Sequence, residues 1–244
     1  MQNNSTVPDW LPDKKYYEYA YHKCFNPDVD YQNWQPWDEW TYPDRDILRF
    51  THIIGNQLKH IHHKRVLDVG CHLGYLTLFC LHNNAAFVTA TNIRSRELSI
   101  AQEVLALTHY NNYTLLLSDL NDETCFRNLC NQHNTILFSG IIYHISNHYE
   151  KLKSIYESSA DTLIIEGRQP DILGCCVQWS HESSDDAVNA YAKTKSTAFV
   201  GMPTNTWVES ALLDIGWSIV YNETVSYMKP DHTPTQRYTI TAKK

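Results

Sequence analysis

Residues 66–75 read Val66-Leu67-Asp68-Val69-Gly70-Cys71-His72-Leu73-Gly74-Tyr75. Apolar residues around one acid run into a glycine turn, and a helical apolar period begins directly after it. This order predicts a buried parallel strand, a tight loop and a helix N-terminus, where backbone lies close against a small ligand. Glycine at 70 and 74 omits the Cβ that would hold such a ligand away. Asp68, at the strand end, is placed to order the loop or to accept from an ammonium group. Cys71 and His72 fill the turn. His72 stands where the dinucleotide fingerprint G-x-G-x-x-G needs its second glycine, so that fingerprint fits poorly.

Working outward, strand and helix periods alternate. Strands are predicted at 65–70, 86–91, 113–117, 134–138 and 161–166, with helices at 73–83, 95–108, 122–132 and 147–158. The strands are short and largely apolar, as befits a parallel sheet covered by helices on both faces. Upstream, Ile47, Leu48, Phe50, Ile54, Leu58 and Ile61 fall on one helical face, with Asp44 as N-cap. Residues 168–200 read as an insertion, helical near 185–194. A helix follows from Pro203 to Asp214, with Gly216 as its stop. Strands at 217–227 and 236–243, joined through the turn-rich 229–234, are expected to be antiparallel neighbours. The predicted architecture is α/β: a Rossmann-like, seven-stranded, mostly parallel sheet with an antiparallel last strand, occupying residues 44–244. Residues 1–43 form an aromatic N-terminal arm that includes Trp34, Trp37 and Trp40, expected to dock through its rings or to wall a pocket.

Composition narrows the function classes. The chain of 244 residues carries a formal net charge of −7, which fits nucleic-acid phosphates badly. No run of eighteen apolar residues occurs, so no membrane span is expected, and the N-terminus lacks the form of a secretory signal. The 7 cysteines form no C-x-x-C pair, and reduced thiols in a cytoplasmic protein are the expectation. Cys175 and Cys176 are adjacent, a spacing that bridges only with strain. His60, His62 and His63 have no carboxylate or cysteine at ligand spacing, so no metal is expected.

Open α/β sheets bind ligands at the carboxyl ends of their strands. The second strand ends in Asn92-Ile93, where an acid would accept from ribose hydroxyls; Asn92 offers one acceptor oxygen and an amide donor. The third ends in Ser118-Asp119-Leu120, with a helix cap or turn as the alternative role for Asp119. Ser139, Gly140, Tyr143 and His144 follow the fourth strand. Glu166 closes the fifth, facing either the same rim or solvent.

The spacing Asp-x-Gly-x-x-x-Gly from Asp68 to Gly74 resembles the first motif of class I S-adenosylmethionine-dependent methyltransferases. Three further stretches tighten the likeness: "TILFSGIIYHISNHYEKLKSI" followed by "ADTLIIEG", then "YAKTKSTAFVGMPTNTWVESALLDIGW", then "PTQRYTITAKK". These look like the corresponding parts of the tRNA wobble-uridine carboxymethyltransferase family, over roughly residues 44–244. The resemblance implies S-adenosyl-L-methionine, or its carboxylated form, as cofactor. Asp68, Gly70, Cys71, His72, Gly74, Asn92, Ile93, Asp119, Leu120, Ser139 and Gly140 would hold it, with Asp119 at the adenine. It further implies that Tyr143 and Arg237 contact the added carboxylate and that His144 stands by the reacting centre. A fork and a phenol suit a carboxylate. Core packing for Tyr143, a surface ion pair for Arg237 and a helix-start role for His144 are the structural alternatives.

The expected function is one-carbon transfer to a small-molecule or other acceptor. A tRNA carboxymethyltransferase, disfavoured by the acidic charge, and a non-catalytic cofactor-binding protein stand as alternatives.

Overall fold

Five apolar runs become the parallel half of one sheet: β1 (Arg65–Val69), β2 (Phe87–Asn92), β3 (Tyr113–Leu117), β4 (Thr135–Ser139) and β5 (Thr162–Gln169). A computed structural model of the chain describes residues 11–25, 44–183, 197–228 and 234–244. With β8 (Ser218–Met228) and β9 (Pro234–Lys243), the 7-stranded sheet has the order β3-β2-β1-β4-β5-β9-β8. β9 lies antiparallel between β5 and β8, as the turn-rich linker predicts. The order turns about β1, whose neighbours are β2 and β4.

Strand residues alternate between faces, and the core divides accordingly. Val66, Val88, Leu137 and Ile164 pack with side chains of α1 (Lys14–Phe25), α2 (Asp44–Ile53), α3 (Tyr75–His82) and α4 (Ser95–Ala106). Leu67, Val69, Ile136, Phe138, Leu163 and Ile165 join the other core with α5 (Glu123–Cys130), α6 (His148–Glu157) and α7 (Asn205–Ile215). Each fully buried Leu or Ile contributes about 1.5–3 kcal/mol at most.

Three elements differ from the sequence expectation. The upstream helix stops at Ile53, and a 3-10 turn continues over Gly55–His60; a glycine inside the run weakens α-helix at that point. The stretch read as an insertion contains β6 (Val177–Ser183) and β7 (Thr197–Pro203), an antiparallel pair in a sheet of their own. Trp179 stacks on Phe199 across this ribbon, centroids 4.9 Å apart and planes 6° from parallel. The helix expected near 185–194 lies outside the described residues. Finally, Pro203 ends β7 opposite Val177, and α7 begins at Asn205, capped by the Thr204 side chain accepting from the Trp207 N–H at 3.2 Å.

In the arm, Leu11, Tyr19 and Ala20 are buried in the first core, and the Tyr19 hydroxyl donates to Glu103 at 3.0 Å. Trp34, Trp37 and Trp40 lie outside the described residues. Among those described, no helix is long and apolar enough to cross a membrane. Cys71, Cys80 and Cys130 are buried free thiols, whereas Cys175 is exposed.

Candidate active site

The β1–α3 turn is built by backbone conformation before any ligand is considered. Gly70, His72 and Gly74 have φ of 71°, 50° and 80°, the left-handed region that only glycine enters without steric cost. A Cβ on Gly70 would also lie 2.2 Å from Ile141 Cδ1, and one on Gly74 3.0 Å from the Ala101 Cβ. Both glycines therefore answer to the fold itself. At Gly70 the Ile141 side chain takes the space a Cβ would fill. Asp68 is buried, and its carboxylate accepts from the Thr77 hydroxyl at 2.6 Å, tying strand end to helix start. Burial pushes its pKa up to about 6, opposed by the Thr77 bonds. Its structure-ordering role, one of the two read from sequence, is met within the protein. Cys71 is buried, its N–H donates to Thr91 O at 2.8 Å, and burial drives its thiol pKa well up. His72 is open to solvent yet set down among protein groups. That surrounding mass, and then Arg94 and Arg49, push its pKa down to about 4.

At the next strand tips, Asn92 Oδ1 accepts from the Arg94 N–H at 3.2 Å, closing a local turn, and Ile93 is half-buried. Asp119 is exposed and Oδ1 accepts from Asn121 N–H at 2.8 Å, so the turn role is realised. Leu120 packs against the second core. Gly140 has φ of 71° and donates its N–H to Glu166 O at 3.0 Å; beyond it a 3-10 turn, Ile142–His144, carries Tyr143 and His144 with ring centroids 4.4 Å apart. Gly70, Asn92, Ile93, Leu120, Gly140, Ile141, Tyr143 and His144 are half-buried; β1, β2 and β4 behind them are mostly closed to solvent, whereas β3 at the sheet edge is half-buried to exposed. The carboxyl ends of β3, β2, β1 and β4 thus lie side by side along one edge of the sheet, where the strand order turns.

Beside it lies an ionic cluster. Glu166 is 1% exposed and accepts from Arg49 Nε and Nη2 at 3.0 Å, from Arg237 Nη2 at 2.9 Å, and from Ser139 Oγ at 3.0 Å. Arg237 Nε also donates to Glu166, and its Nη2 reaches the Tyr143 hydroxyl at 3.2 Å. Burial opposes the charge on Glu166, but Arg237 and then Arg49 hold its carboxyl well below the usual range. The solvent-facing alternative for Glu166 is therefore corrected, as is a surface pair for Arg237, whose side chain is 12% exposed. Two guanidiniums against one carboxylate leave one positive charge at the rim.

Sequence reading brought Ser139, Tyr143, Glu166 and Arg237 to one place but missed Arg49, Arg94, Glu97 and Ile141. Arg94 and Glu97 stand at helical i,i+3 spacing, a legible signal; Arg49 gives none. Among the described residues no group of three metal-ligating side chains is placed to hold a metal.

No protein-family model matches the chain, and no curated protein matches it significantly. Solved structures do. The N-terminal domain of EvdMO1 with S-adenosylhomocysteine bound aligns with a TM-score of 0.60 at 14% identity, covering 97% of this chain and 99% of that one. Magnesium protoporphyrin IX methyltransferase from Synechocystis PCC 6803, with bound S-adenosylmethionine, aligns at 0.57 and 14% identity over 99% and 100%. An S-adenosylmethionine-dependent methyltransferase from Mesorhizobium loti aligns at 0.54 and 12% over 78% and 96%. Strand order, glycine turn and these likenesses together show that the chain has the Rossmann-like fold of class I methyltransferases.

Proposed function

We propose that the chain is an S-adenosylmethionine-dependent methyltransferase acting on a small-molecule acceptor. The observation that carries this reading is the turn in strand order at β1, with the glycine bend leading into α3 at the carboxyl ends of β1 to β4, the place where open α/β sheets bind ligands. The residues fit such a cofactor in part. Half-buried tips leave a rim for an elongated nucleoside; against that, Ile141 occupies the Cβ space of Gly70, and the Asn92 acceptor is engaged by Arg94. In this assignment Asp68, Gly70, Cys71, His72 and Gly74 shape the cradle. Asn92 and Ile93, Asp119 and Leu120, and Ser139 and Gly140 border it.

A bound sulfonium supplies a one-carbon group already activated by its positive charge. The protein is left chiefly with alignment and exclusion of water. Tyr143 and His144 face the reacting end, with His144 taking the acceptor's proton if the nucleophile carries one. Arg237 positions Tyr143 through its Nη2 bond.

One observation favours a second reading. The single uncompensated positive charge at Arg49, Glu166 and Arg237, with the Tyr143 hydroxyl beside it, suits a carboxylate on the transferred group. That reading makes the cofactor carboxy-S-adenosylmethionine. A tRNA acceptor fits the net charge of −7 poorly.

Mass spectrometry of small molecules released from the purified protein, paired with calorimetry, tests both. Plain S-adenosylmethionine supports the first reading and the carboxylated form the second. Absence of binding to either would overturn the proposal, and firm binding without transfer to any acceptor would leave a cofactor-binding protein.

A further inference from the structure

The β6–β7 ribbon carries two rings that the described fold leaves half open. Six large apolar side chains are exposed among the described residues. Trp179 (46%) and Phe199 (53%) are the aromatic ones, and they stack on each other. Single apolar side chains scattered on a surface are ordinary, whereas adjoining ones mark a ligand or a partner. The register sets Trp179 opposite Gly201 and His181 opposite Phe199, so these four share one face of the ribbon. His181 lies 5.4 Å from Phe199, and His148 of α6 lies 5.7 Å from Trp179, centroid to centroid, which makes one row of rings.

The row is rooted at the candidate site. His148 Nε2 donates to Gly201 O at 2.8 Å, and the Gly201 N–H donates to Ile145 O at 3.1 Å, directly after the Ile142–His144 turn. A Cβ on Gly201 would lie 2.6 Å from both His148 Cε1 and Trp179 Cζ3, so glycine is what lets strand, helix and ring meet here. Just beyond β7, the Asn205 N–H donates at 2.9 Å to Oε1 of Gln169, the last residue of β5. The ribbon therefore springs from the carboxyl edge of the sheet, beside the turn that carries Tyr143 and His144.

Size decides the occupant. An aromatic side chain offers about 150–250 Å², so two half-exposed rings present roughly 200 Å². A stable protein interface takes about 800 Å² from each partner. The surface is too small for a second copy and large enough for one ring system of a small molecule. Two ring edges side by side suit a flat group lying across them, edge to face.

We propose that Trp179 and Phe199 hold a flat aromatic part of the acceptor, which makes the substrate class a small molecule with an aromatic ring system. This rests on the methyltransferase reading above and names the acceptor chemistry that it leaves open.

The test titrates naphthol, as ring probe, and its saturated counterpart decahydronaphthol into the folded protein, followed by ligand-observed nuclear magnetic resonance. Wild type should bind naphthol at least about fivefold more tightly than decahydronaphthol, and Trp179→Ala and Phe199→Ala should each lose at least about fivefold on naphthol. Leu213→Ala, which removes an exposed apolar side chain elsewhere, should stay within about twofold of wild type. Calorimetry with S-adenosylhomocysteine on the same samples should give equal affinities throughout. Should Trp179→Ala fail to fold, Phe199→Ala decides alone. Naphthol binding that is absent, unchanged in the variants or matched by decahydronaphthol would overturn the proposal while S-adenosylhomocysteine binding leaves the cofactor reading standing. A wild-type dimer in sedimentation that Phe199→Ala converts to monomer would overturn it in favour of a protein interface. Folded wild type that does not bind S-adenosylhomocysteine would overturn both readings.

Discussion

Replacing Glu166 by Gln removes one negative charge and keeps the shape. Glu166 is 1% exposed, and the two guanidiniums that share it are 25% and 12% exposed, so all three groups are largely withdrawn from water. Gln offers one acceptor oxygen where the carboxylate has two, and it sets an N–H toward an arginine. Removing one partner of a buried ion pair costs about 3–5 kcal/mol because the remaining charge is uncompensated. With Arg49 partly in solvent, the lower end, about 3 kcal/mol at pH 7, is expected from urea unfolding followed by tryptophan fluorescence. The pH dependence sharpens the test. The folded carboxyl is held below its ordinary range. Its contribution is therefore complete above the unfolded value near 4.3 and shrinks as pH falls, by about 1.4 kcal/mol per unit. The gap between wild type and Glu166→Gln should be level from pH 6 to 8 and narrow below about 4.3. A gap under about 1 kcal/mol at pH 7, or one unchanged at pH 3, would refute the reasoning.

Asp68 should behave in the opposite sense: burial raises its pKa to about 6, so its contribution is present below about 3.9 and is lost as pH rises through the folded value, up to about 3 kcal/mol. Asp68→Asn should flatten the stability curve between pH 4 and 6, and a slope that persists in the variant would assign it elsewhere. Gly70→Ala meets a left-handed backbone, costing about 1–2 kcal/mol, plus the Ile141 side chain. Adding Ile141→Ala should make the double variant less unstable than the sum of the singles by about 1 kcal/mol, since the two sites touch; strict additivity in urea unfolding would remove Ile141 as the obstacle. Thr204→Ala should cost about 1–2 kcal/mol through loss of the α7 cap, and a thermal midpoint equal to wild type would deny that role.

The parallel strands and the helices between them were legible because each carries a clean period: Leu67 and Val69 go to one face and Val66 to the other, as alternation demands. The β6–β7 ribbon was not. Its pairing joins Trp179 to Gly201 across residues 184–196, a separation that no local pattern encodes. The start of α7 was misplaced by proline, whose fixed φ suits a strand end as well as a first helical turn; Thr204 was the better signal. At the candidate site, position along the strand tips was readable, but partnership was not. Asn92 looked like a free acceptor until the Arg94 N–H took it. That Ile141 would pack into the space beside Gly70 could not be read from the sequence. Arg49 lies 117 residues from the carboxylate it meets, a pairing that only the fold creates.

That last pairing reaches past the pocket. Glu166 comes from β5, Ser139 from β4, Arg49 from α2 and Arg237 from β9, four pieces of chain that converge on one carboxylate. An intermediate lacking any contributor would have to bury a charge without its counter-charges, so incomplete forms are penalised where chemistry would take place. Assembly of the domain and completion of its rim become a single event. A half-folded copy therefore forfeits this rim and its cooperativity together, and a population of chains should contain complete molecules and collapsed ones with little between.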